Sequence, residues 1–114
     1  MAAPPSSPGL GEFEYLVMLA IMHLGEEGYS ATIRREIEER TERSVAPGAL
    51  YVTLQRLTQK GFLDSWLGEP TPERGGKAKR HFRPTREGLA AVREFAGAMR
   101  SMARGLDAIF EPGR

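Results

Sequence analysis

The sequence predicts a mainly α-helical fold: three helices, a small β-hairpin and a long final helix. Apolar residues recur at steps of three and four in four separate stretches, and two short β-prone runs flank a break rich in glycine and proline. A length of 114 residues leaves room for one domain with one real core.

Hydrophobic residues at 40% and charged residues at 27% are ordinary for a globular chain, which argues against wholesale disorder. There is no cysteine, so disulfides, thiolate zinc sites and a cysteine nucleophile are excluded together, and the cytoplasm is the expected location. Pro4, Pro5 and Pro8 stand in an opening stretch without lysine or arginine, unlike a signal peptide, and residues 1–10 are expected to form a disordered tail. Tyr15 to Met22 is apolar without a charge but far short of the ~20 residues a bilayer needs, so no membrane partner is expected.

In the first helix Phe13, Leu16, Val17, Ala20, Ile21 and Leu24 form one face, while Tyr15, Met18, Leu19 and Met22 make the other sides apolar too. A helix apolar nearly all round is covered on more than one side, and in so small a domain a second subunit is the expected cover over Tyr15, Met18 and Met22. Gly25 and Gly28 end this helix. Ser30 is the expected cap of a second helix running to about Glu42, with Ile33 and Ile37 inward. Pro47 suits the first turn of a third helix, and Gly61 closes it. There Leu50, Leu54 and Leu57 share one side; Gly48, Ala49, Val52, Gln55, Arg56 and Gln59 share the other, with Tyr51 and Thr53 on the flanks. Tyr51 is expected to pack its ring and keep a wet hydroxyl.

Strands are expected at Phe62 to Leu67 and Lys79 to Arg83, with Gly68 to Ala78 as a long tip. Thr85 caps the last helix, whose positions Leu89, Val92, Ala96, Met99, Ala103, Leu106 and Phe110 form an unbroken seam of the kind that pairs helices. Phe95, Met102 and Ile109 widen it, while Gly97 and Gly105 each cost about 1 kcal/mol of helix propensity. About twenty-five residues would span roughly 38 Å, longer than the domain available to bury them, so pairing between chains is expected rather than an intramolecular core helix.

Formal charge is only +1, but six basic residues and no acidic one lie between Arg74 and Arg86. Lys77, Lys79 and Arg80 would neutralise phosphates and release counterions, although a solvated hairpin tip has the same composition. On the third helix, Pro47, Gly48 and Ala49 let backbone approach base edges, and Gln55 and Arg56 reach bases or phosphates, with Tyr51, Val52 and Thr53 completing the surface. Any amphipathic helix also has a polar face, so the hairpin beside it carries the DNA reading.

Three helices, a two-stranded wing and a long last helix are the order of a winged helix-turn-helix regulator. The stretch from Gly11 through Phe13, Tyr15 and Met18 to Gly25, the segment Pro47-Gly48-Ala49-Leu50-Tyr51 running on to Leu57 and Gly61, and Gly68 to Gly76 followed by Arg80-His81-Phe82-Arg83-Pro84-Thr85 and Gly88 resemble the PadR family. The resemblance covers roughly Gly11 to Phe110. It implies a homodimeric regulator, usually a repressor, with the third helix in the major groove and the last helix exchanged across the dimer. Short members respond to small aromatic or drug-like ligands or have no known effector. Two positions depart from the family: Ala46 stands where a serine or threonine often precedes the proline, and the last helix has no tryptophan.

On this division residues 11–84 are the DNA-binding domain, 85–110 the dimerisation helix and 111–114 a tail. The expected function is sequence-specific binding of double-stranded DNA at a near-palindromic operator by a homodimer. The alternative is a ligand-binding or protein-interaction dimer that keeps the fold without using DNA. No enzyme is expected: His23 and His81 lack further metal ligands nearby, and Glu26, Glu27, Glu38 and Glu39 lie in a turn and on a wet face. No cofactor or metal is expected. Trp66 and the methionines of the first and last helices could line an intersubunit site for a flat aromatic effector, against the plainer reading that Trp66 packs beneath the wing.

Overall fold

The computed structural model describes residues 9–69 and 77–111. Their order is α1 (Glu12–Leu24), a 3-10 turn (Gly25–Glu27), α2 (Ser30–Thr41), α3 (Pro47–Gln59), β1 (Leu63–Leu67), β2 (Arg80–Pro84), α4 (Arg86–Ala103) and the single turn α5 (Asp107–Phe110). The fold is mainly helical with one antiparallel hairpin, as the periodicities predict.

α1 starts where the Gly11 amide donates to the Glu14 carboxylate at 2.7 Å, and it stops at Gly25, whose φ of +59° lies in the left-handed region. Glu14 is buried, and Lys60 Nζ sits 2.9 Å from both of its oxygens. Burial alone would raise this carboxyl's pKa; the Gly11 amide and the Lys60 charge outweigh it and hold the pKa below the usual value. Lys60 also donates to the Gly9 carbonyl at 2.9 Å, and Leu10 packs against the core. The last two residues of the expected tail are thus tied to the domain, while residues 1–8 and 112–114 lie outside the described residues.

Ser30 does not cap α2. The chain reaches this helix extended, because Tyr29 bridges to His81 of β2, and the helix begins one residue earlier than Ser30 capping would allow. The Tyr29 amide is satisfied instead by Thr32 Oγ1 at 3.1 Å, and the Thr32 hydroxyl donates to the Glu27 carbonyl. Ile33 and Ile37 of α2 meet Leu50, Leu54 and Leu57 of α3 and Val17, Met18, Ala20 and Ile21 of α1 in one core, closed below by Phe62, Leu63 and Phe82.

β1 and β2 pair in register from Leu63 opposite Pro84 to Leu67 opposite Arg80, with Ser65 opposite Phe82 and Trp66 opposite His81. The Phe82 amide donates to the Gly28 carbonyl at 2.9 Å, fastening the hairpin to the end of the 3-10 turn. Of the expected tip, residues 70–76 lie outside the described residues.

Thr85 caps α4 as expected, accepting from the Gly88 amide at 3.0 Å. The same hydroxyl donates to the Gly61 carbonyl at 2.6 Å, and the Thr85 amide donates to the Phe62 carbonyl at 3.0 Å. A Cβ on Gly88 would lie 2.2 Å from the Phe62 carbonyl oxygen and 2.9 Å from Met18 Cε. The absent side chain lets the first turn of α4 press directly on the corner between α3 and β1. Further along, Val92 enters the core and Phe95 stacks on Tyr15 with ring centroids 4.2 Å apart.

Two expectations about this helix change. It is not an unbroken run to Phe110: α4 has 18 residues and the chain turns at Gly105, with φ at +89°. Past Gly97 the helix leaves the domain and is exposed at Ala98 to Met102, so little packing within the chain offsets a second glycine. Met18 and Val92, expected at a subunit interface, are 0% and 6% exposed inside the chain's own core and have no surface to offer a partner.

Replacing Gly88 with alanine forces a methyl into the Phe62 carbonyl and is expected to lower stability by about 3 kcal/mol. Gly97→Ala, where a Cβ meets open space, should instead raise stability by about 0.5 to 1 kcal/mol. Urea unfolding of both variants checks the pair, and an unchanged midpoint for Gly88→Ala contradicts the close approach.

Candidate nucleic-acid interface

α3 turns Leu50, Leu54 and Leu57 inward, so its opposite face is free by simple helical geometry. Pro47, Gly48, Ala49, Tyr51, Val52, Gln55 and Arg56 are all exposed there. Thr53 is the exception: it is 5% exposed and faces the core, because the flank where it stands turns inward beside Leu54 and Leu57. It cannot touch a nucleic acid. Tyr51 also departs from expectation, since its ring is 60% exposed rather than packed, and its hydroxyl accepts from Gln55 Nε2 at 2.8 Å.

The start of this face carries only small side chains, so backbone can come close to a groove, and the following turn supplies an aromatic hydroxyl, an amide and a guanidinium. Small side chains where contact is closest and donors further along suit the reading of base edges in a major groove.

The hairpin stands beside it. Lys77 and Arg80 are exposed and Lys79 is half-buried, its Nζ 4.3 Å above the Tyr29 ring. Arg80 donates to Ser65 Oγ across the register at 3.1 Å. Between hairpin and α3 runs a groove of about 690 Å³ whose walls include Lys79 and Arg80 on one side and Tyr51 and Gln55 on the other. The structure therefore brings two of the three wing cations to the same opening as the outer face of α3. Among the described residues lining it, none is acidic. Lys79 and Arg80 are the cations among the described residues lining it.

Sequence reasoning did not find Tyr29, Ser30, Thr58 and Ser65, which line the same groove. Tyr29 gets there through its bridge to His81, a pairing between distant segments that no local pattern announces.

Trp66 faces away from this groove, on the other side of the hairpin, because neighbours along a strand alternate faces. Its ring stacks on His81 at 5.4 Å and carries the Arg83 guanidinium at 5.1 Å. His81 is further held by the Glu26 carbonyl, 2.9 Å from its Nδ1. Trp66 shares a cleft of about 590 Å³ with Met22, whereas Met99 and Met102 are not among that cleft's walls. Of the residues expected to line an effector site together, the chain by itself assembles only Trp66 and Met22. His23 lies near Arg40, with Nδ1 3.5 Å from Nη2.

A third set of expected residues lies at the end of α4 and on α5. Met99, Met102, Leu106, Ile109 and Phe110 are between 48% and 78% exposed, and Met22 on α1 is 43% exposed. Leu89, Phe95, Ala96 and Ala103 are half-buried, as is Tyr15, which Phe95 covers within the same chain.

Two packed helices, α2 and α3, with the second presenting its outer face beside a two-stranded wing, define a winged helix-turn-helix. Residues 18–94 match the transcriptional regulator PadR-like family, and the chain belongs to that family. Solved structures agree in fold. A PadR family transcription regulator from a hypervirulent Clostridium difficile aligns with TM-score 0.71 at 18% identity, over 89% of this chain and 100% of that one. A PadR-like transcription factor from Bacteroides fragilis gives 0.69 at 22% identity over 85% and 88% of the two chains. A PadR family transcriptional regulator from Eggerthella lenta gives 0.64 at 25% identity over 90% and 88%. No curated protein matches the chain. The family is one of regulators, not enzymes, and no helix among the described residues is long and apolar enough to cross a membrane.

Proposed function

We propose that this protein is a sequence-specific DNA-binding repressor that occupies a near-palindromic operator as a homodimer, in the cytoplasm. The observation that carries the proposal is the shared opening of the outer face of α3 and the cations Lys79 and Arg80. In this reading Gln55 and Arg56 read base edges in the major groove, Gly48, Ala49 and Val52 make the close approach, and the wing cations hold phosphates. Repression follows from occupancy, because a dimer lying on promoter DNA excludes polymerase. A small aromatic molecule is the expected effector.

Homodimerisation is supported by the uncovered apolar surface of Met99, Met102, Leu106, Ile109 and Phe110, since large exposed side chains clustered on one element mark a contact surface. Two α3 helices in one dimer then require half-sites about one turn, ~34 Å, or a multiple apart.

Selection from random DNA supplies the operator, and two substitutions then separate reading from holding. Arg56→Ala should weaken the operator by about 1 to 3 kcal/mol while sparing unrelated DNA. Lys79→Ala should weaken both alike and lower the slope of log affinity against log salt by about 2, one contact in each half of the dimer. No selected sequence, together with no salt-dependent DNA binding, would favour the alternative of a winged-helix dimer that works through ligands or proteins alone.

Charging the apolar end of the chain tests the assembly. Met99→Lys with Leu106→Lys alters exposed positions only, so the domain should stay folded while light scattering reads a monomer. Operator affinity should fall by ~100-fold or more, because two half-sites are no longer linked. A dimer with native affinity for the operator would contradict it.

A further inference from the structure

One side-chain contact on the outer face of α3 is made before any DNA arrives. Gln55 Nε2 donates to the Tyr51 hydroxyl at 2.8 Å, and both side chains are exposed. The two residues stand four apart, so they meet on one side of the helix at successive turns. Neither group needs the other for its own sake, because water would satisfy each at this surface. What the contact changes is the hydrogen-bonding pattern that the amide has left to offer.

A glutamine amide carries two N–H donors and one carbonyl acceptor. Left free, it can turn about its last bond and present a donor beside an acceptor, which matches adenine, or both donors, which match the two acceptors of a guanine edge. With one N–H given to Tyr51, a single N–H and Oε1 remain. Adenine satisfies both, since its N6 amino group donates to Oε1 and its N7 accepts the N–H. Guanine sets its O6 against Oε1, thymine leaves Oε1 without a donor, and cytosine leaves the N–H without an acceptor. Each mismatch strands a polar group where water has been excluded.

We infer that Tyr51 is a positioning residue that commits Gln55 to adenine, so that each half-site carries an adenine paired with thymine beneath Gln55. The inference rests on the DNA reading proposed above and adds which base is read. Arg56, next along the chain, has donors only and suits guanine, while Gly48, Ala49 and Val52 have no polar side-chain atom to compete. Gln59 carries the same amide one turn nearer the helix end, but recognition helices meet base edges with their earlier residues. Holding the amide beforehand also removes part of the ordering cost of the contact.

The test uses the full chain and an operator selected from random DNA, each base pair being changed in both half-sites to the other three. Affinities are compared for the wild type, Gln55→Ala, Gln59→Ala and Tyr51→Phe, all changes at exposed positions. One position should prefer adenine by about tenfold or more, and Gln55→Ala should flatten it while Gln59→Ala leaves it as it was. Tyr51→Phe keeps the ring and frees the amide. A lost phosphate contact would weaken every sequence alike, whereas lost positioning lowers the ratio of adenine to guanine affinity, here by about fivefold or more. Replacing the adenine with 7-deazaadenine, which still pairs with thymine but lacks the N7 acceptor, should cost the wild type about fivefold or more and Gln55→Ala nothing. A ratio that Tyr51→Phe leaves unchanged overturns the inference, as does a Gln55-dependent position that prefers another base, or a selected operator with no position that responds to Gln55→Ala. In those cases sequence-specific binding stands, and the DNA reading with it. No selected sequence and no salt-dependent binding would overturn both.

Discussion

The first turn of α4 lies against the backbone at the corner of α3 and β1, and the geometry of the whole molecule hangs on that contact. Only a residue without a side chain fits at Gly88, where a Cβ would lie 2.2 Å from the Phe62 carbonyl oxygen. Thr85 then ties the helix start to both Gly61 and Phe62 by hydrogen bonds of 2.6 and 3.0 Å. The element with the exposed apolar end is thereby locked to the element with the exposed polar face. In a dimer made through α4, the separation of the two α3 helices is set at this corner, and so is the half-site spacing the protein can accept.

The hairpin is placed by a separate set of contacts. Phe82 binds the Gly28 carbonyl, Tyr29 bridges to His81, and His81 in turn meets the Glu26 carbonyl and the Trp66 ring. These contacts hold Lys79 and Arg80 over the groove rather than free at a loop. A formal charge of only +1 is compatible with this arrangement, because the two cations on the groove walls, Lys79 and Arg80, have no acidic residue beside them among the described residues lining it. Counterion release depends on which charges face the phosphates, not on the sum.

How much of this was legible in the sequence follows from the range of the interactions. Helix existence, the inward leucines of α3, Pro47 at its start, Thr85 as a cap and the hairpin all rest on local spacing, and apart from the end of the last helix they stand within a residue or two of expectation. The outer face of α3 was legible for the same reason, save Thr53, whose flank position is decided by how α3 tilts against the core. Met18 and Val92 were assigned to a partner because an apolar helix does not say which neighbour covers it; Gly88 brings Met18 and α4 together inside one chain. The Lys60 to Glu14 pair and the tyrosine wall of the groove join segments far apart in sequence, and no periodicity encodes them. Gly105 was visible as a weak point in the last helix, but whether packing would rescue it depended on contacts the sequence does not state.

Methylation interference on a site selected from random DNA tests the central claim most directly, because it reports which groove the protein uses and at what spacing. If α3 enters the major groove from both halves of a dimer, modification of guanine N7 should block binding in two clusters on one face of the duplex, about 34 Å or a multiple of it apart. Interference confined to the minor groove, or a single major-groove cluster without a symmetric mate, would contradict the account.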